Sequence, residues 1–105
     1  MKDSCSPTPA PAANGSAART VSTLFHPCNA AGQSLFAVQP GVPVADALDS
    51  AYCLLDVAEE LALHLNGADA QRREQVGHAC ASLVTMAKAT VRACVEGIGE
   101  SSQRR

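Results

Sequence analysis

The sequence predicts an all-α fold, an antiparallel two-helix hairpin that follows a short extended segment and a disordered N-terminal tail. Two stretches repeat apolar residues at alternating steps of four and three, the spacing that keeps side chains on one helix face. Asn66-Gly67 separates them, and such a pair is typical of a helix end because it adopts the left-handed conformation at low cost. The two series are Val44, Leu48, Ala51, Leu55, Ala58, Ala62 and Leu65, then Val76, Cys80, Leu83, Ala87, Thr90, Cys94 and Ile98.

Residues 1–33 are predicted to form the disordered tail. Pro, Ala, Ser, Asn and Gly dominate its composition without a repeated apolar face, so it buries too little surface to offset its ordering entropy. Prolines at positions 7, 9 and 11 interrupt any apolar run that a secretory signal needs. Both helical stretches carry charges too often for a membrane span. We therefore expect a soluble, cytoplasmic protein, which five cysteines without paired spacing also fit.

The ordered domain is predicted to span residues 34–99 and to begin with an extended segment over 34–39. Pro40-Gly41 then predicts a turn, because Pro presets one backbone angle and Gly supplies a positive φ at the next position. Pro43 suits the first turn of a helix, where its missing amide hydrogen costs nothing. The first helix is therefore expected over residues 43–65.

The second helix is predicted over residues 69–96. Asp69 is a good N-cap, since its carboxylate accepts a hydrogen bond from a free amide of the first turn. Gly97 and Gly99 are the predicted stop signals. Residues 100–105 are expected to fray.

The two predicted helices differ in charge. The first carries five carboxylates and no Lys or Arg, whereas the second is mainly basic. With Leu55 level with Leu83, Asp46 lies opposite Arg92 across the hairpin. Exposed ion pairs contribute only about 0–1 kcal/mol each, so they favour this register without driving folding.

Each predicted helix carries more apolar surface than one partner helix covers. A second copy of the hairpin would cover part of it and form a homodimeric four-helix bundle; a further protein partner of unknown identity is also expected. An ordered part of about 65 residues is short for a stable single core, which favours this association. The side chains predicted to form the interaction surface are Leu35, Phe36, Val38, Tyr52, Leu54, Leu61, Val84 and Val91.

The string LFAVQPGVPVADAL resembles a domain-of-unknown-function family of short, pseudomonad-type bacterial proteins with the pattern LFxVxPGVPxxDAL. The resemblance covers residues 34–98 and implies a compact helical unit with an N-terminal extended segment. It implies no catalytic motif, cofactor or partner. The matching residues are Leu35, Phe36, Val38, Pro40, Gly41, Val42, Pro43, Asp46, Ala47 and Leu48.

No catalytic residue, cofactor or bound metal is expected, and the protein is predicted not to be an enzyme. A Cys nucleophile needs a His base and a pocket, which a thin helical unit does not offer. His26 and Cys28 provide two of the roughly four ligands that zinc requires. A net charge of −2 and three aromatic residues disfavour nucleic-acid binding, and this charge attracts no anionic membrane.

The function predicted from these observations is that of a small cytosolic helical protein, a non-catalytic protein–protein interaction or regulatory module. The alternative is a thiol- or metal-responsive regulator that uses Cys28, Cys53, Cys80 and Cys94. A third hypothesis is an enzyme subunit whose partner supplies the active site.

Overall fold

A computed structural model describes residues 18–103 as a two-stranded antiparallel sheet followed by two helices. Positions 1–17 of the predicted tail and 104–105 of the predicted frayed end lie outside the described residues. In the sheet, Phe25 pairs with Phe36. The prediction of a purely helical fold is therefore wrong. The elements are β1 (Thr23–Pro27), β2 (Ser34–Val38), α1 (Val44–Leu63) and α2 (Ala70–Gln103).

β1 lies inside the stretch that the sequence assigns to the disordered tail. Val21, Thr23 and Phe25 are half-buried and alternate with exposed neighbours, the two-residue period of a strand with one covered face. The connecting loop is closed by a 2.8 Å hydrogen bond from the Cys28 amide to the Gln33 carbonyl. The alternation spans only five residues beside a Pro- and Ala-rich segment, and its pairing with β2 is what makes it a strand.

The sheet packs on α2 and not on α1. The segment before β1 is joined to the turn between β2 and α1. The buried Thr20 hydroxyl donates to the Gln39 carbonyl at 2.8 Å and accepts from the Val42 amide at 3.0 Å. The Val44 amide, which begins α1, donates to the Ala18 carbonyl at 3.0 Å. This donor has no partner within its own helix. The residues just before β1 therefore hold both the turn and the start of α1.

α1 and α2 pack antiparallel in the predicted register. The Cys80 Sγ lies 3.4 Å from the Ala58 carbonyl oxygen, and the Cys94 Sγ lies 3.9 Å from that of Val44. These contacts lie at the start of α1 and about four turns further along it, so they define the level of the two helices over most of α1.

The predicted turn and N-cap between the helices are confirmed. Gly67 has φ +80°, and α2 begins at Ala70 directly after Asp69. The Asp69 Oδ1 accepts a 2.8 Å hydrogen bond from the Arg72 amide. The local signals of this connection therefore predict its structure.

α2 continues past the two glycines that were predicted to stop it. A Cβ at Gly97 would overlap the Arg19 carbonyl oxygen, and the Val21 amide donates to the Ala93 carbonyl at 3.2 Å. Gly97 is therefore a site of close backbone approach and not a helix end. Although α2 is 34 residues long, no helix within residues 18–103 is apolar enough over a sufficient length to cross a membrane.

Small residues form the interior of the molecule. On α1 the inward face carries alanines, whereas Leu48 and Leu55 of the predicted stripe are 41% and 44% exposed. The inward series keeps Ala51 and Ala58 of the predicted stripe, but Ala47 and Leu54 take the inward positions expected for Leu48 and Leu55. Small residues at such a contact let the helix backbones approach closely. The buried apolar residues of the described chain are Ala47, Ala51, Ala58, Ala87, Ala89, Ala93 and Cys94.

Candidate interaction surface

One face of the α1–α2 pair carries a row of large apolar side chains. On each helix these residues are three, four or seven positions apart, close to one or two helical turns, so they lie on one side of the helix. On α2 this side is turned away from Ala93 and Gly97, where the segment before β1 packs. Between 37% and 69% of each side chain is exposed. We call this set the open seam: Leu48, Tyr52, Leu55, Val84, Val91, Val95 and Ile98.

A groove of about 460 Å³ runs along the middle of the open seam. Its apolar lining comes from both helices, which shows that the two rows form one continuous surface. Two cations also line it, both from α2. The lining residues are Leu55 from α1 and Ala87, Lys88, Val91, Arg92 and Val95 from α2.

The charged residues beside the open seam are largely unpaired within the chain. Among residues 18–103 the only ion pair joins Arg92 Nη1 to Glu96 Oε2 at 4.0 Å, along α2 itself. The ion pair predicted between Asp46 and Arg92 is not formed. Both groups of the observed pair are at least half-exposed, so water screens it strongly. No ion pair within this range involves the α1 carboxylates Asp46, Asp49, Asp56, Glu59 and Glu60.

The eight side chains predicted to form an interaction surface occupy three places. Three belong to the open seam, two are half-buried on the face of α1 that carries the alanines, and three lie on β2, where two are exposed and one is half-buried. The structure therefore brings together only the first three. In that order they are Tyr52, Val84 and Val91; Leu54 and Leu61; and Leu35, Phe36 and Val38.

The predicted surface omits four residues of the open seam, Leu48, Leu55, Val95 and Ile98. Three of them fit the helix–helix stripe in the sequence, and Val95 flanks it. A second series on α1 has the same four-and-three spacing and shares Ala51 and Ala58 with the stripe; its other members are Ala47, Leu54 and Leu61. Where the two series differ, each consists of one Ala and two Leu, so neither spacing nor side-chain size in the sequence distinguishes them.

A second concave surface lies between the sheet and α2, with a volume of about 370 Å³. The rings of Phe25 and Phe36, 5.7 Å apart, form its sheet side together with His26. His26 has φ +65°, in the left-handed region that non-glycine residues rarely adopt. The cleft has the dimensions of a small-ligand pocket and combines an aromatic wall with polar groups. From α2 it is lined by His78, Ala81, Ser82, Thr85 and Met86.

The cysteines in the described part of the chain differ in burial. Cys28 is exposed in the loop between the strands, Cys53 and Cys80 are half-buried, and Cys94 is buried. Burial raises the pKa of the Cys94 thiol, because a thiolate loses its hydration there. In the portion of the chain that the structure describes, no three His, Cys, Asp or Glu side chains are grouped to hold a metal ion. Cys80 and Cys94 lie between the helices as small packing residues.

Comparison with curated proteins and with solved structures returned no match. A family model described as "Protein of unknown function (DUF3077)" matches residues 20–96. The match begins at Thr20, which holds the turn before α1, and it includes both strands, all of α1 and most of α2. Because the match covers most of its length, the chain belongs to the DUF3077 family.

Proposed function

We propose that this chain is a cytoplasmic, non-catalytic protein-interaction module that forms a homodimer through the open seam. The observation that carries the proposal is the position of the large apolar side chains. Among the described residues the buried apolar side chains are all Ala or Cys, whereas Leu, Ile, Val and Tyr line one exposed face. Monomeric soluble proteins rarely expose a contiguous apolar surface of this kind, so it is typical of a binding site.

Burial of the open seam would supply the free energy of association. Complete burial of one Val, Leu or Ile side chain contributes about 1.5–3 kcal/mol. The seven side chains of the seam are each partly exposed, so a fraction of that value is gained from each in both copies. Tyr52 is 69% exposed, and Tyr is enriched in interface cores because it is large and loses little side-chain entropy.

A second copy of the chain is the occupant that the charges favour. The α2 side of the groove carries Lys88 and Arg92, and α1 is acidic throughout. The same surface therefore contains both signs of charge beside its apolar residues, and a second copy offers the complement of each.

The variant Leu55→Asp tests the proposal. It places a carboxylate in the groove, where a dimer would bury it without a partner, so we expect a monomer of about 10.8 kDa. The wild-type chain is expected at twice that mass. Size-exclusion chromatography with light scattering over a concentration series, with and without reductant and chelator, gives both masses.

Val57→Asp is the matched control. Val57 is 45% exposed, against 44% for Leu55, and a spacing of two residues turns it to the other side of α1. This variant should remain dimeric with unchanged helix content by circular dichroism. The proposal fails if the wild-type chain stays monomeric at the highest concentration, if Leu55→Asp stays dimeric, or if the dimer forms only under oxidation or with added metal.

A further inference from the structure

The outer edges of the open seam carry opposite charges. On α1, Asp49 lies three residues before Tyr52 and Asp56 lies four residues after it, so both flank this ring on the helix surface. On α2, Lys88 and Arg92 line the groove beside the apolar side chains. The face is therefore acidic along one edge and basic along the other.

The helix register places some of these charges at the same height. Val44 contacts Cys94, and Ala58 contacts Cys80, so a step forward along α1 corresponds to a step backward along α2. Asp49 follows Val44 by five residues and is thus level with the position five residues before Cys94. That position lies between Lys88 and Arg92 in the sequence.

Two twofold arrangements stack one open seam on another. An axis across the helices places α1 on α1 of the second copy, which sets two acidic helices against each other. An axis parallel to the helices places α2 of the second copy on α1 at unchanged height. In that arrangement Asp49 lies beside Lys88 and Arg92 of the second copy, and symmetry repeats the contact on the other side.

We propose that the second copy binds with its α2 on α1 of the first, about a twofold axis parallel to the helices. This inference rests on the homodimer proposed above and specifies its geometry. Arg92 is available for the contact because its pair with Glu96 is exposed and at the 4.0 Å limit of an ion pair. Asp49 forms no ion pair with another residue of the 18–103 range. The pairing satisfies both edges without rearranging either helix.

Charge reversal tests this geometry. Asp49→Lys alone, and Lys88→Glu with Arg92→Glu, each place like charges at both symmetric contacts, so we expect the Kd of the dimer to rise by about tenfold or more at low ionic strength. All three substitutions in one chain restore opposite signs and should return the Kd to near the wild-type value. A mixture of the Asp49→Lys chain and the chain with Lys88→Glu and Arg92→Glu should form heterodimers. Sedimentation velocity measures each Kd.

Glu100→Lys is the matched control, since it reverses an exposed charge on α2 nine residues after Val91, a spacing that places it on the opposite side of that helix. It should leave the Kd unchanged. The inference is overturned if Asp49→Lys leaves the dimer unchanged or tightens it, or if the triple reversal does not restore it. With Leu55→Asp still monomeric, each of these outcomes leaves the proposed function standing, and a tighter Asp49→Lys dimer places α1 on α1. A dimeric Leu55→Asp chain contradicts the proposed function itself.

Discussion

Gly97 shows how one residue serves a contact between distant parts of the chain. Its missing side chain admits the Arg19 carbonyl against α2, and the neighbouring hydrogen bond from Val21 to Ala93 fixes this approach. We expect Gly97→Ala to lower the free energy of unfolding by about 1–3 kcal/mol, because the added methyl group overlaps backbone atoms that cannot move freely. Urea denaturation measures the change.

Gly99→Ala is the matched control for Gly97→Ala. Beyond its chain neighbours and the adjacent backbone of its own helix, a Cβ at Gly99 meets no atom of the described residues within 4 Å. The substitution should therefore leave stability unchanged or raise it by up to about 1 kcal/mol through helix propensity. Equal losses in both variants would show that the contact with Arg19 is not the reason. In the sequence both glycines look like helix stops, because a capping glycine and a contact glycine differ only in what packs on them.

The segment before β1 determines how the elements are joined. Thr20 is buried, and its hydroxyl forms two hydrogen bonds to the turn, one to the Gln39 carbonyl and one from the Val42 amide. Thr20→Val removes both and leaves those groups without a protein partner, so a loss of about 1–3 kcal/mol in stability is expected. Hydrogen exchange should show faster exchange of the Val42 and Val44 amides, while the amides in the middle of α2 remain protected.

Thr23→Val is the matched substitution in the neighbouring strand. The Thr23 hydroxyl makes one local hydrogen bond, to the Val21 carbonyl at 3.2 Å, and Val has a high strand propensity. Its effect should be clearly smaller than that of Thr20→Val. If the two variants lose the same stability, the hydroxyl hydrogen bonds of Thr20 are not what holds the turn before α1 in place. These hydrogen bonds cannot be predicted from the sequence, because Thr20 lies about 20 positions from both of its partners.

At the scale of the whole molecule, the distribution of side-chain size is unusual. The buried apolar residues of the described chain are Ala and Cys, and seven larger apolar residues share one exposed face, the open seam. A small core alone provides little hydrophobic stabilisation, which accords with the homodimer proposed here. The hairpin and its register were predicted from spacing and charge, but the spacing fits two faces of α1 equally well.

The stability of the whole molecule should fall at alkaline pH. Burial raises the pKa of the Cys94 thiol above its ordinary value of 9.0, so the folded state holds the proton more tightly than the unfolded state. This contribution is complete below the unfolded pKa and is lost as pH rises through the folded pKa. We expect the free energy of unfolding to decrease with pH above about 9, with a smaller slope for Cys94→Ala.

Cys28→Ala is the control for this dependence, since Cys28 is exposed in the loop between the strands. This variant should keep the slope of the wild-type chain. If Cys94→Ala and the wild-type chain show the same slope under reducing conditions, Cys94 does not cause the alkaline loss. Chemical denaturation at several pH values provides the comparison and separates the slope from any packing loss in Cys94→Ala.

Local signals in the sequence were sufficient for the two helices, the Gly67 turn and the Asp69 N-cap. These features depend on residues a few positions apart, and their backbone preferences and spacing can be recognised in the sequence alone. The strand status of β1, the inward face of α1 and the role of Gly97 depended on packing between distant segments. A short alternating run, an apolar face or a glycine is compatible with several local structures of similar free energy. Contacts between distant parts of the folded chain decide which of these structures forms.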